Sequence, residues 1–171
     1  MAANLVKINV ASDLTFKASG GTSVWTPTSV GAGAGRISAV MDLGAAPRPR
    51  LYRWRMQTRW VATLAAGDML RVYLITSNAS ATTANNDGGV AFGDAAMSVE
   101  TYAINSYQFL GAVIAGVAED KNECASGTVE ILDRYIGVMC WNASATKALS
   151  GTAGDHVLTL TPVMDEIEAA A

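Results

Sequence analysis

The stretch RPRLYRWRMQTRW, residues 48–60, decides the fold. Successive side chains of a β-strand point to opposite faces. At that period Tyr52, Trp54, Met56, Thr58 and Trp60 share one face, and Leu51, Arg53, Arg55, Gln57, Arg59 and Val61 share the other. The first set is large and mostly apolar, as a core-facing strand requires. The second carries a row of guanidinium groups about 7 Å apart, because each residue advances a strand by roughly 3.3 Å. Arg48, Arg50, Arg53, Arg55 and Arg59 make up five of the chain's twelve Lys and Arg residues. The strand therefore predicts a buried aromatic face and a cationic face that must meet water, carboxylates or phosphate.

The rest of the chain reads the same way. Short runs rich in Val, Ile, Thr and aromatics occur at 5–10, 14–18, 36–43, 51–64, 69–76, 107–117, 128–132, 134–143 and 156–163. They are bounded by Gly, Asp, Asn or Ser clusters, which is the pattern of strands and turns. Gly67-Asp68 lies between two alternating runs and predicts a hairpin. Only 93–104 and the residues after 162 could be helical, so βαβ units are not expected. Eight or nine strands joined by irregular loops predict an all-β fold, a two-sheet antiparallel β-sandwich of the jelly-roll kind. An immunoglobulin-type sandwich would carry a Cys…Trp…Cys frame, whereas Trp141 directly follows Cys140. The 171 residues are expected to form a single domain, 1–171, with an N-terminal arm at 1–13 and a C-terminal tail at 164–171. Long Gly/Ser/Ala-rich segments at 18–36 and 76–98 read as loops that contact a neighbouring subunit. Trp25, beside Pro27 in the first of them, is the candidate exposed aromatic.

Composition narrows the function. Half the residues are hydrophobic and only 16% are charged, against roughly 25% in ordinary soluble domains. Interface cores are depleted in charge, so this balance suits a protein packed against others. A net charge of −3 and the sparseness of basic residues away from 48–60, where they are interspersed with acids, argue against nucleic acid as a partner. No run approaches the ~20 apolar residues of a membrane span. Residues 1–13 lack the apolar core of a signal peptide. The sequence leaves open a disulfide between Cys124 and Cys140; a chain made in a reducing cytosol would keep them as free, buried thiols.

Catalytic patterns fail one by one. The lone histidine, His156, follows a Gly-Asp turn and reads as a turn or edge residue. The cysteines lack metal-ligand spacing. GAGAGR, 31–36, has neither the Lys-Ser/Thr of a phosphate loop nor a following helix. EDKNE, 119–123, does not match a calcium loop. Asn78 and Asn142 fit the glycosylation pattern, but without a signal peptide the match carries nothing. No enzyme activity, cofactor or metal is expected. Arginine forms bidentate pairs with carboxylates and is favoured at interfaces. The arginine row is therefore expected to meet an acidic protein surface; the chain's own candidates are 119–123 and MDEIE, 164–168.

The C-terminal third, RYIGVMCWNASATKALSGTAGDHVLTLTPVMDEIE at 134–168, resembles the ends of small structural proteins of tailed bacteriophages. There an RYIGV strand, a variable turn, a TAGDH turn, an LTP strand end and an acidic tail follow in order. Such proteins include capsid decoration (cement) proteins. The resemblance covers about 35 residues and transfers no functional residue. It implies a virion structural protein on the capsid exterior, assembled in the host cytoplasm, binding the major capsid protein and itself, with a homotrimer as the expected oligomer. Arg48, Arg50, Arg53, Arg55, Arg59 and Trp25 are the candidate interface residues. The alternative is a head-fibre or tail module that binds host-surface glycan through an aromatic such as Trp25 or Trp141.

Overall fold

The computed structural model describes residues 12–45, 48–61, 65–79, 92–101, 104, 107–116 and 123–163. Residues 1–11 of the expected arm at 1–13, the strand at 5–10, the tail at 164–171 and most of 119–123 lie outside them. The strands are β1 (Leu14–Lys17), β2 (Ser23–Val24), β3 (Ala34–Ile37), β4 (Met41–Asp42), β5 (Leu51–Thr58), β6 (Met69–Ser77), β7 (Ala96–Met97), β8 (Gln108–Ile114), β9 (Glu123–Glu130), β10 (Tyr135–Asn142) and β11 (Val157–Pro162).

They form the expected two-sheet sandwich, antiparallel except for the short β1–β2 contact. The first sheet runs β2-β1-β11-β5-β9, and the second runs β7-β3-β10-β6-β8 with β4 also on β10. The longer strands pair from the outside of the sequence inward: β1 with β11, β3 with β10, β5 with β9, and β6 with β8. The chain is in effect a long antiparallel ribbon doubled on itself and divided between two sheets.

The layer between the sheets is built from the alternate residues that the sequence pattern selects. Tyr52, Trp54, Met56, Thr58 and Trp60 are all buried, while Leu51, Arg53 and Arg55 are exposed. Trp54 reaches the side where the edge strands β8 and β9 converge. A Cβ on Gly127 would lie 2.7 Å from its Nε1, and one on Gly111 would lie 2.9 Å from its ring carbons. Both glycines are therefore needed for their strands to close over the indole.

A second apolar cluster covers the outer face of the second sheet. It includes Ile37, Tyr73, Ile75, Phe92, Met97 and Met139. Burial is continuous from Ile136 to Asn142 in β10, as expected of a strand covered on both faces. Phe92 sits over Gly137, where an added Cβ would overlap the ring. The described parts of 18–36 and 76–98 thus pack on their own chain, with Trp25, Val30, Phe92 and Met97 buried. Their apolar side chains thus serve the fold of their own chain.

Other expectations change as well. Gly67 does make a turn, at φ 98°, held by the Asp68 N–H on the Ala65 carbonyl and by the Ala65 N–H on the Asp68 carboxylate. It does not close a hairpin, because β5 and β6 belong to different sheets. Alternation reports which face is buried but not which strand is the partner. The run at 36–43 splits into β3 and β4, the stretch 93–104 that could be helical contains β7 and is helical only at Thr101 and Ile104 among its described residues, and β9 begins five residues before the expected strand at 128.

Candidate protein-docking face

The outer face of the first sheet takes its side chains from β1, β11, β5 and β9. The pairing aligns Thr15, Thr159, Arg55 and Ser126 in one row across it. Thr161, Arg53 and Thr128 form the next row, and Val157, Gln57 and Cys124 form the row on the other side. Strands lie about 4.8 Å apart, so each guanidinium is flanked by short hydroxyl side chains that leave it uncovered. Arg53, Arg55, Ser126, Thr128 and Thr161 are exposed. The Arg55 Nη2 lies 3.7 Å from the Cys124 thiol. Cys124 is exposed and only Cys140 is buried, and both are free, which corrects the expectation of two buried thiols.

The five arginines of 48–60 do not act as one row. Arg59 pairs with Asp155 at 3.9 Å, with side chains 30% and 14% exposed. Arg48 donates from Nη2 to the Leu132 carbonyl. Arg48 and Arg50 precede β5 with the parity of its buried face, so they belong to the end of the sandwich, where Arg50 is exposed. Arg53 and Arg55 alone occupy the open face. Among the described residues neither they nor Arg50 has a carboxylate partner.

The remaining arginines behave differently. Arg36 Nε donates to Asp94 at 2.9 Å, Arg71 Nη1 to Glu100 at 2.8 Å, and Arg134 binds Asp42 through Nε and Nη2 at 2.7 Å each. The Arg134 hydrogen bonds, with help from the Gly44 N–H, hold the Asp42 carboxyl at about 2. Burial, reinforced by the hydrogen bond to Glu100, pushes the Tyr73 hydroxyl up to about 12. These cations are satisfied within the chain.

Trp25 was expected on the surface and is fully buried in the core. Its Nε1 donates to the Arg36 carbonyl, so it is presented neither to a neighbouring subunit nor to a glycan. Trp141 is also buried. An indole in a Gly-rich loop gives no sign in the sequence that the loop folds back between two sheets. The hydroxyl rows were legible but passed over: the alternation of HVLTLTPV already sets Thr159 and Thr161 on one face.

His156 is fully buried rather than at an edge. Its Nε2 lies 2.9 Å from the Ser150 carbonyl, which can only accept, so Nε2 carries the proton. Nδ1 then accepts from the Thr58 hydroxyl at 2.9 Å. The Ser150 hydroxyl donates instead to Asp155 at 2.6 Å, so serine and histidine are not arranged as nucleophile and base. The Asn142 amide donates to the Val30 and Lys147 carbonyls, and its oxygen accepts from the Ser144 N–H and Trp60 Nε1. It is buried, and a glycan there would have to break all four bonds. Among the described residues no three His, Cys, Asp or Glu side chains converge as a metal site. No family model and no curated protein matches the chain.

Proposed function

We propose that the chain is a tailed-bacteriophage decoration protein that binds the exterior of the capsid through the outer face of its first sheet. The observation that carries this reading is the pair Arg53 and Arg55. They are exposed, fixed on a central strand, flanked by Thr and Ser, and without a carboxylate partner among the described residues. Guanidinium groups held in this way suit carboxylates presented by another protein. The resemblance of 134–168 to phage structural proteins supports the capsid as the site of docking. The nested pairing of eight longer strands supports a jelly roll, a fold common in virion proteins.

In this reading the protein assembles in the host cytoplasm and staples capsid subunits as a homotrimer. Each contact needs only modest affinity, because many linked contacts raise the total. The glycan alternative loses the aromatics it would use, since Trp25 and Trp141 are buried. The test is capsid retention of an Arg53→Ser/Arg55→Ser variant, together with the heat and chelator resistance of virions that lack the protein. Loss of retention with an intact fold is expected. Unchanged retention, or shells equally robust without the protein, would overturn the proposal.

A further inference from the structure

The open face changes character along β5. Its outward residues run Leu51, Arg53, Arg55 and Gln57, and Leu51 is 38% exposed. Glu130 lies directly beside Leu51 in the register. It is exposed and has no cation partner among the described residues. The pairing carries on past β9, because the Ile131 N–H donates to the Arg50 carbonyl at 2.7 Å. Ile131 is buried, so Leu132, 62% exposed, keeps the parity of Glu130. Val163, half-buried, reaches the same end from β11, its N–H on the Leu51 carbonyl at 2.9 Å. The start of β5 is therefore apolar with one carboxylate beside it, and its middle is cationic.

We infer that this face recognises an extended segment of its partner in which an apolar side chain and two carboxylates follow one another at alternate positions, the apolar one at the end. The inference rests on the docking reading above and names what the partner presents. Alternate residues of an extended chain lie about 7 Å apart on one side, the same step that separates Leu51, Arg53 and Arg55. One such segment seats its apolar side chain against Leu51 and Leu132 and sets a carboxylate on each guanidinium. A helix fits less well, because positions i, i+4 and i+8 turn through about 80° and the third leaves the face. Glu130 fixes the order: it repels a carboxylate placed over Leu51 and so keeps the acids from slipping one step toward that end. A second copy of the chain does not complement the face, which offers paired arginines at this spacing but no paired carboxylates.

The test titrates the nitrogen-15-labelled full chain, at low salt, with serine-flanked peptides of equal composition. Leu-Thr-Glu-Thr-Glu has the inferred order, Glu-Thr-Leu-Thr-Glu places the apolar residue between the acids, and Leu-Thr-Thr-Glu-Glu turns one acid away. The first is expected to shift the amides of β5 and β9. It should bind about fivefold more tightly than either of the others, each of which loses one ion pair, taken at the upper end for exposed pairs. Leu51→Ser/Leu132→Ser should remove its advantage over Ser-Thr-Glu-Thr-Glu. A nitroxide at its leucine end should broaden the amides of Leu51 and Leu132 and spare that of Gln57. No binding, equal affinity for the three orders, or equal broadening at both ends of β5 would overturn the inference. So would tighter binding of a helical peptide with its acids four residues apart. The same amide shifts on raising protein concentration alone would make a second copy the occupant and overturn it too. If the inferred order is preferred while capsid retention ignores Arg53→Ser/Arg55→Ser, only the docking proposal fails. If retention needs the arginines and the three peptides bind alike, only this inference fails.

Discussion

The two sheets share a core but treat their outer faces in opposite ways. β10 in the second sheet is buried on both sides, and a cluster from Phe92 to Tyr107 roofs that face. Arginines near this roof are neutralised, Arg36 by Asp94 and Arg71 by Glu100. β5 in the first sheet alternates between buried residues and exposed or half-buried ones, and its outward residues include the cations Arg53 and Arg55. Among the described residues, loops cover the outer face of the second sheet and leave that of the first open. A face left polar and unroofed on a rigid scaffold is available to something else, whereas a roofed face is already in use by the fold.

The largest expected effect lies in the roof. Phe92→Ala removes a buried ring seated over Gly137 and should cost about 3–5 kcal/mol in urea unfolding. Gly137→Val should unseat the same ring from below, because even a Cβ there would overlap it. If neither change moved the denaturation midpoint, the second sheet would be no more roofed than the first and the contrast would collapse.

Asp94 pins the roof to the loop that carries Trp25. It accepts from the Thr26 N–H at 2.8 Å, the Thr26 hydroxyl at 2.6 Å and Arg36 Nε at 2.9 Å. Its φ of 53° is a conformation that Asp tolerates better than most residues. Burial pushes its carboxyl up, but the bonds from Arg36 and Thr26 outweigh that, and the net direction is down. The folded state therefore binds this proton less readily than the unfolded chain. The stabilisation is complete above the ordinary carboxyl range and is lost as pH falls through the folded value. Asp94→Ala should cost about 1–3 kcal/mol through the donors left behind and should flatten the acid limb of the stability curve. An unchanged acid limb would show that the pin carries no charge-dependent stability.

What the sequence disclosed follows from the range of the physics. Alternation is local, so RPRLYRWRMQTRW by itself separated Trp54 and Met56 from Arg53 and Arg55. Pairing is not local. Gly67 and Asp68 make a turn, and nothing near them states that β5 joins β9 and β11 while β6 joins β8 and β10. Trp25 and His156 were misplaced for the same reason, since what buries them is distant in sequence. The division of the arginines was also invisible, because it depends on Asp155 and Leu132 arriving at the two ends of β5.

A smaller pH effect belongs to the core between the sheets. Burial pushes the His156 imidazole below its ordinary value, against the opposing pull of the Ser150 carbonyl and Asp155. The unfolded chain takes up the proton first as pH falls below about 6.5. Stability should hold above neutrality and decline from there toward pH 5. His156→Gln, though less stable at pH 7, should lose that slope. If wild type and variant declined in parallel between pH 7 and 5, the histidine would be titrating as it does in the unfolded chain, and the buried neutral tautomer would be wrong.

The smallest stability effect is the one the contrast depends on most. Arg53→Ser/Arg55→Ser alters exposed residues that have no carboxylate partner among the described residues. Surface changes of this kind shift stability by about 0.5 kcal/mol or less. Removing two cations about 7 Å apart on one strand also relieves their mutual repulsion, and serine there continues the hydroxyl rows of Thr159, Thr161, Ser126 and Thr128. Thermal unfolding of the free variant should match wild type or exceed it slightly. A loss of several kcal/mol would mean that the arginines hold the sheet together. Both outer faces would then be engaged by their own chain, and the open face would no longer be the part of the molecule set aside for a partner.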